Sequence, residues 1–159
     1  KRIRAAADAR RDPNFLLMAR TDIRAVEGLD AAIDRAKALV DAGADAIFPE
    51  AMASVAEFEA VANALDVPIL ANMTEFGKSD LFSVDQLCDA GVKMVIWPVS
   101  LLRIAMGAAG RALDTLNDEG HLTSKLGEMQ HRADLYDLID YESYNHFDSG
   151  VFTFTITKE

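Results

Sequence analysis

The sequence predicts an α/β fold made of consecutive βα units, and three observations lead there. Short apolar runs at 15–19, 46–49, 67–71 and 92–97 recur at roughly 25-residue intervals, a normal length for the unit that builds parallel sheets. Polar residues cluster just beyond three of these runs: Arg20-Thr21-Asp22, then Glu50, then Asn72-Met73-Thr74-Glu75; Pro98 follows the fourth. A faint repeat also appears, in which Asp41-Ala42-Gly43 and Asp89-Ala90-Gly91 each end a helix and lead into a strand. Four parallel strands make about half of a (β/α)8 TIM-type barrel, whose usual size is ~250 residues. The chain is therefore expected to supply roughly the last four βα units plus C-terminal helices. A doubly wound open sheet is the alternative, but no glycine-rich phosphate loop follows any strand.

Each element has a local reason. Residues 1–10 read as helix from the first position, so the chain is expected to continue a longer one; Asp12-Pro13-Asn14 breaks that helix. Leu29, Ile33, Ala36 and Val40 share one helical face, and Gly43 is placed to stop it. Residues 45–48 form the next strand. Ser54 caps a helix reaching about Leu65, with Glu57 three residues on in the capping-box pattern. After the strand from Val67, residues 74–80 form a polar loop, 83–90 a helix, and a strand ends at Trp97. Leu101, Ala105, Ala108 and Ala112 mark a further helix closed at Gly120. One helix is predicted over 124–139. Beyond it, Phe152, Phe154 and Ile156 alternate with threonines, a period-two strand signal. Two parts are expected: 1–120 as the second half of a barrel, and 121–159 as a C-terminal helix and aromatic tail packing on a neighbouring subunit.

Composition narrows the class. The chain has 159 residues, 50% hydrophobic and 26% charged, with net charge −10. This reads as a soluble, cytoplasmic globular protein, and the acidic balance argues against nucleic acid or an anionic membrane as partner. No apolar run approaches the ~20 residues of a membrane span. Cys88 is the single cysteine, so no internal disulfide forms. Its place in a helix, away from any strand end, predicts a buried inert thiol. His121, His131 and His146 have no metal-ligand spacing.

In parallel α/β folds ligands bind at the carboxyl ends of the strands. Arg20 could take a substrate carboxylate with its planar fork, or form a structural ion pair with Asp22 or Glu50. Glu50 could hold a metal-bound water or a substrate hydroxyl, or serve only as partner to Arg20. Asn72 and Thr74 could donate to an oxyanion or cap the next element. Arg103 can reach the same rim, whereas Arg132 reads as a solvated surface charge.

Taken together, Met18-Ala19-Arg20-Thr21-Asp22, Phe48-Pro49-Glu50-Ala51, the run Ile69 to Gly77 and Trp97-Pro98-Val99-Ser100 resemble the isocitrate lyase/phosphoenolpyruvate mutase superfamily, nearest its 2-methylisocitrate-cleaving branch. The resemblance implies a (β/α)8 barrel whose last helix is exchanged between subunits of a homotetramer. It implies Mg²⁺-dependent cleavage of 2-methylisocitrate to pyruvate and succinate, a step of propionate catabolism in the methylcitrate cycle. By that pattern Arg20, Glu50, Asn72, Met73, Thr74, Arg103 and Arg132 match substrate-contacting positions, and Glu50 would reach the metal through water. The aspartate pair that holds Mg²⁺ and the loop with the proton-donating cysteine belong to the first half of the barrel. No catalytic residue is therefore expected in this chain, which needs the N-terminal half as partner and is expected to be inactive alone. The alternatives are isocitrate lyase, oxaloacetate decarboxylase or carboxyphosphoenolpyruvate mutase, and, from another class, a non-catalytic half-barrel assembly module.

Overall fold

A computed structural model describes residues 1–77 and 79–152. It divides into two compact units, residues 1–106 and 107–159. In the first, helix α1 (Arg2–Asp8) precedes β1 (Met18–Thr21), the single turn α2 (Arg24–Glu27) and α3 (Leu29–Asp41). There follow β2 (Ala46–Pro49), α4 (Val55–Asn63), β3 (Leu70–Asn72), α5 (Val84–Asp89), β4 (Met94–Ile96) and the start of α6 (Ser100–Glu119).

The strands are parallel. β1 pairs with β2 from Met18↔Ala46 to Thr21↔Pro49, and β3 with β4 from Leu70↔Met94 to Asn72↔Ile96. A parallel bridge, Ile47↔Ile69, links the two pairs, with Ile47 N donating to the Pro68 carbonyl at 3.0 Å. Neighbours in the chain are thus neighbours in space, without the reversal of order that marks a doubly wound sheet.

Backbone pairing moves the strand ends from where hydropathy puts them. Arg20 and Thr21 lie inside β1, opposite Phe48 and Pro49, and Asn72 lies inside β3. Apolar runs mark burial, whereas ladder bonds define a strand and extend here into polar residues.

The Asp-Ala-Gly repeat has a common geometric basis. Gly43 N donates to Val40 O and Ala44 N to Leu39 O; Gly91 N donates to Cys88 O and Val92 N to Leu87 O. Both are Schellman stops, which need a left-handed residue after the helix. Gly43 and Gly91 supply it at φ 104° and 85°.

Ser54 accepts from Glu57 N at 3.3 Å, but the reciprocal half of the predicted capping box is missing. The Glu57 carboxylate is drawn instead to Arg24 and to Ala53 N. A complete box forms instead at α5, between Ser83 and Gln86.

The core lies between the strands and α3 to α5. Ala32 and Ala36 of α3, Phe58 and Val61 of α4 and Leu87 of α5 pack with Ala19, Ile47, Ile69, Ala71 and Met73. Phe58 meets Phe82 edge to face, 6.4 Å between ring centroids. Cys88 corrects its expectation: it is exposed, because Leu87 and Ala90 take the inward face of α5.

In the second unit the predicted helix over 124–139 is broken. A 3₁₀ helix covers Thr123–Glu128, Met129 turns extended at ψ 141°, and α7 begins afresh at Arg132–Leu138. His131 starts it, its Nδ1 accepting from Ala133 N at 3.3 Å. Helix α8 (Tyr141–Phe152) then takes up Tyr141, Tyr144, Phe147 and Phe152 of the aromatic tail. Phe152 ends a helix rather than starting a strand; Phe154 and Ile156 lie outside the described residues. Tyr136 stacks on Tyr141 with ring centroids 4.4 Å apart. Among the described residues no helix is long and apolar enough to cross a membrane.

Candidate functional site

The carboxyl ends of β1, β2 and β3 and the loop after β3 enclose an open cleft of about 340 Å³, with Arg20, Asp22, Glu50, Asn72 and Thr74 among its lining. Each side chain arrives from the backbone course just described. On β1, Ala19 and Thr21 are buried while Arg20 alternates to the exposed face. There the guanidinium lies 5.0 Å over the ring of Phe48, its partner in register.

Arg20 is held in the plane as well. Its Nε and Nη2 donate to the Asp22 carboxylate at 3.2 and 2.7 Å, and Nη2 lies 3.4 Å from Glu50 Oε2. The Asp22 bond holds the guanidinium pKa above its ordinary value, and the same bond pulls Asp22 below the usual carboxylate value against the opposing effect of desolvation. Asn72 Nδ2 donates to Glu50 Oε2 at 3.4 Å, and Thr74 Oγ1 donates to Asn72 Oδ1 at 2.7 Å. Arg20, Glu50, Asn72 and Thr74 are therefore one connected polar array.

The other expected residues lie apart from that array. The Met73 side chain is buried in the core, and its sulfur accepts from Phe82 N at 3.4 Å. Its backbone N–H is spent on the Ile96 carbonyl. Arg103 lines an adjacent apolar recess with Glu75, Phe76 and Ile104. Arg132 opens α7 in the second unit and is exposed.

Sequence reasoning missed several features. Ala51 and Phe76, in loops after β2 and β3, both take left-handed backbone at φ 63° and 60°. Such strain costs on the order of 1–3 kcal/mol per residue and clusters at functional sites; no residue type at these positions signals it. Arg24 donates to Glu57 at 2.9 and 2.5 Å, tying the turn after β1 to the helix after β2. Ser100 donates to Glu75, whose carboxyl lies below its ordinary value through that bond first, with Arg103 assisting.

A model of the family described as phosphoenolpyruvate phosphomutase matches residues 1–117. The chain belongs to this family. Within it, the chain is 52% identical over 155 residues to a probable 2-methylisocitrate lyase 2 of Corynebacterium glutamicum, covering 98% of this chain and 50% of the relative. To 2-methylisocitrate lyase of Escherichia coli it is 50% identical over 143 residues, covering 90% and 48%. The solved structure of oxaloacetate acetylhydrolase in complex with the product oxalate superposes with TM-score 0.82 at 30% identity, covering 94% of this chain and 52% of that one. The chain spans about half the length of the curated relatives it matches.

The residues do not by themselves suit Mg²⁺. A hard cation of this kind is usually held through one or two carboxylates plus waters and substrate oxygens. Among the described residues the cleft offers two carboxylates, Asp22 and Glu50; both are engaged by Arg20, and Glu50 by Asn72 as well.

Proposed function

We propose that this family member is the carboxylate-recognising side of a carbon–carbon lyase that cleaves 2-methylisocitrate to pyruvate and succinate. One observation carries the reading: a guanidinium, a carboxylate, an amide and a hydroxyl at the carboxyl ends of three successive parallel strands and in the loop after β3 converge on one cleft. The names of the half-covered relatives supply the substrate. The strand order supports a (β/α)8 barrel, of which residues 1–120 are proposed to be the later half; 121–159 are proposed to cover a neighbouring subunit.

The charge count explains why the cleft is only part of a site. Arg20 brings one positive charge, while Asp22 and Glu50 bring two negative ones. A tricarboxylate entering such a cleft loses hydration and meets net repulsion. Arg103 and Arg132 are proposed to add positive charge, and residues outside this chain are proposed to add Mg²⁺. Bound there, the ion would offset the negative charge gathered on substrate and cleft. Arg20 then binds a substrate carboxylate through its remaining donors. Asn72 and Thr74 orient the substrate oxygens, and Glu50 accepts a hydrogen bond from a substrate hydroxyl. Proton delivery to the departing succinate fragment falls to residues outside this chain, so residues 1–159 alone are expected to be inactive.

The test is cleavage of 2-methylisocitrate by the full-length protein carrying these residues, followed as pyruvate release, with isocitrate and oxaloacetate as competitors. A preference for either competitor would move the reading to another branch of the superfamily. Metal-dependent cleavage by residues 1–159 alone would overturn the division of labour.

A further inference from the structure

Phe76 is 94% exposed and sits at φ 60°, so neither burial nor backbone preference accounts for it. Its aromatic face instead meets the Arg103 guanidinium, 5.4 Å from the ring centroid. The preceding residue grips the same group: Glu75 accepts from Arg103 Nη1 at its backbone carbonyl, 2.6 Å, and at Oε2, 3.4 Å. Ser100, nearly buried at the start of α6, donates to the other oxygen of Glu75. The ring fixes the guanidinium plane, Glu75 fixes its rotation within that plane, and Ser100 fixes Glu75.

The grip uses only one nitrogen. Among the described residues, Arg103 Nε and Nη2 donate to no protein acceptor, and that edge is the one that takes a carboxylate with two parallel bonds. Arg20 differs, because Asp22 already fills its Nε–Nη2 edge. We propose that Glu75, Phe76 and Ser100 are positioning residues that hold Arg103 with its open edge ready for a carboxylate of the substrate. This deepens the functional reading above and rests on Arg103 being a carboxylate ligand. Pre-setting a long side chain removes part of the ordering cost that binding otherwise carries. Thr74 and Gly77 of the same loop line the Arg20 cleft, so one loop serves both arginines.

The test uses the full-length protein with variants Arg103→Gln, Glu75→Gln, Phe76→Leu and Ser100→Ala, and the first combined with each of the others. KM for 2-methylisocitrate and the affinity for oxalate are both measured, so that the proposal is read even where turnover is absent. Arg103→Gln is expected to weaken binding about tenfold or more, and Glu75→Gln and Phe76→Leu each about three- to tenfold, with kcat within about twofold. Added to Arg103→Gln, the cradle variants should cost less than about twofold more, since they act through Arg103. Phe76→Leu is a surface change, so it reads the proposal even if Glu75→Gln or Ser100→Ala perturbs folding. Full multiplicative effects, or normal binding in Glu75→Gln and Phe76→Leu beside a weakened Arg103→Gln, would overturn the cradle alone. Unchanged binding in Arg103→Gln would remove the role of Arg103 itself, and the cradle with it.

Discussion

Thr74 Oγ1 donates to Asn72 Oδ1 at 2.7 Å, and this bond decides which way the Asn72 amide faces. With its oxygen taken, the amide presents Nδ2 to Glu50 Oε2, which in turn lies 3.4 Å from Arg20 Nη2. Hydroxyl, amide, carboxylate and guanidinium thus run in one line from the loop after β3 across to β1. A change in any member alters its neighbours, which makes the array testable from its middle.

Asn72→Asp replaces a donor facing Glu50 by a second carboxylate at the same place. The cleft would gain a negative charge and lose the bond that orients Glu50. In the full-length protein kcat/KM for 2-methylisocitrate is expected to fall about 100-fold, while Thr74→Val, which frees the amide to flip and removes the hydroxyl from the cleft but adds no charge, should cost less, about tenfold. Steady-state kinetics on the two variants checks the order; equal effects would remove the hydrogen-bond line as the cause.

Arg20→Lys keeps the charge but not the fork. A single ammonium that spans Asp22 and Glu50 keeps too few donors to take a substrate carboxylate with two parallel bonds, and it presents no flat face to Phe48. The lysine variant is expected to lose about as much kcat/KM as Arg20→Ala, on the order of 100-fold or more, with the fold intact by circular dichroism. Lysine restoring most of the activity would reduce Arg20 to a point charge.

How much of this was legible beforehand differs by residue. The strand–helix alternation was readable at α3, because Leu29, Ile33, Ala36 and Val40 fall on one helical face and that face packs into the core. Gly43 was readable as a stop because only a left-handed residue completes a Schellman turn. Arg20 and Glu50 were placed at strand ends by their position after apolar runs, and both line the cleft. The Met73 side chain went to the core, since β3 alternates and Asn72 and Thr74 already take the cleft side. Glu57 looked like half of a capping box, but a guanidinium 33 positions away outbid the helix terminus, and no local pattern encodes such a pairing. The 124–139 helix failed at Met129, where the backbone turns extended after a 3₁₀ stretch.

The Arg24–Glu57 pair gives a stability prediction with a defined pH sign. The Arg24 hydrogen bonds hold Glu57 below its ordinary value of 4.5, with the Ala53 N–H assisting. The unfolded chain therefore takes up a proton at higher pH than the native one. The contribution is complete above about pH 4.5 and is lost as pH falls through the depressed native value. Arg24→Ala is expected to lower stability by about 1–2 kcal/mol at pH 7. The difference from wild type should shrink toward pH 3, as seen in urea midpoints across the range. A difference independent of pH would point to lost packing of the arginine stem instead.

Gly43→Ala separates two costs at one helix stop. The residue sits at φ 104°, where an L side chain is strained, and an added Cβ would stand 2.6 Å from the Cβ of Ala7 on α1. Both effects act together in the single variant, so a loss of about 2–4 kcal/mol is expected. Ala7→Gly removes the clash but not the backbone strain, so the double variant should recover only part of the loss. Gly91→Ala provides the comparison, with φ 85° and a milder approach of 3.0 Å to Ala62. It is expected to cost less than Gly43→Ala, closer to the ~1 kcal/mol of backbone strain alone. Thermal melts of the four variants in the full-length protein check this ranking. Full recovery in the Ala7→Gly, Gly43→Ala double variant would mean that the left-handed backbone carries no cost here, and that α1 alone dictates the glycine.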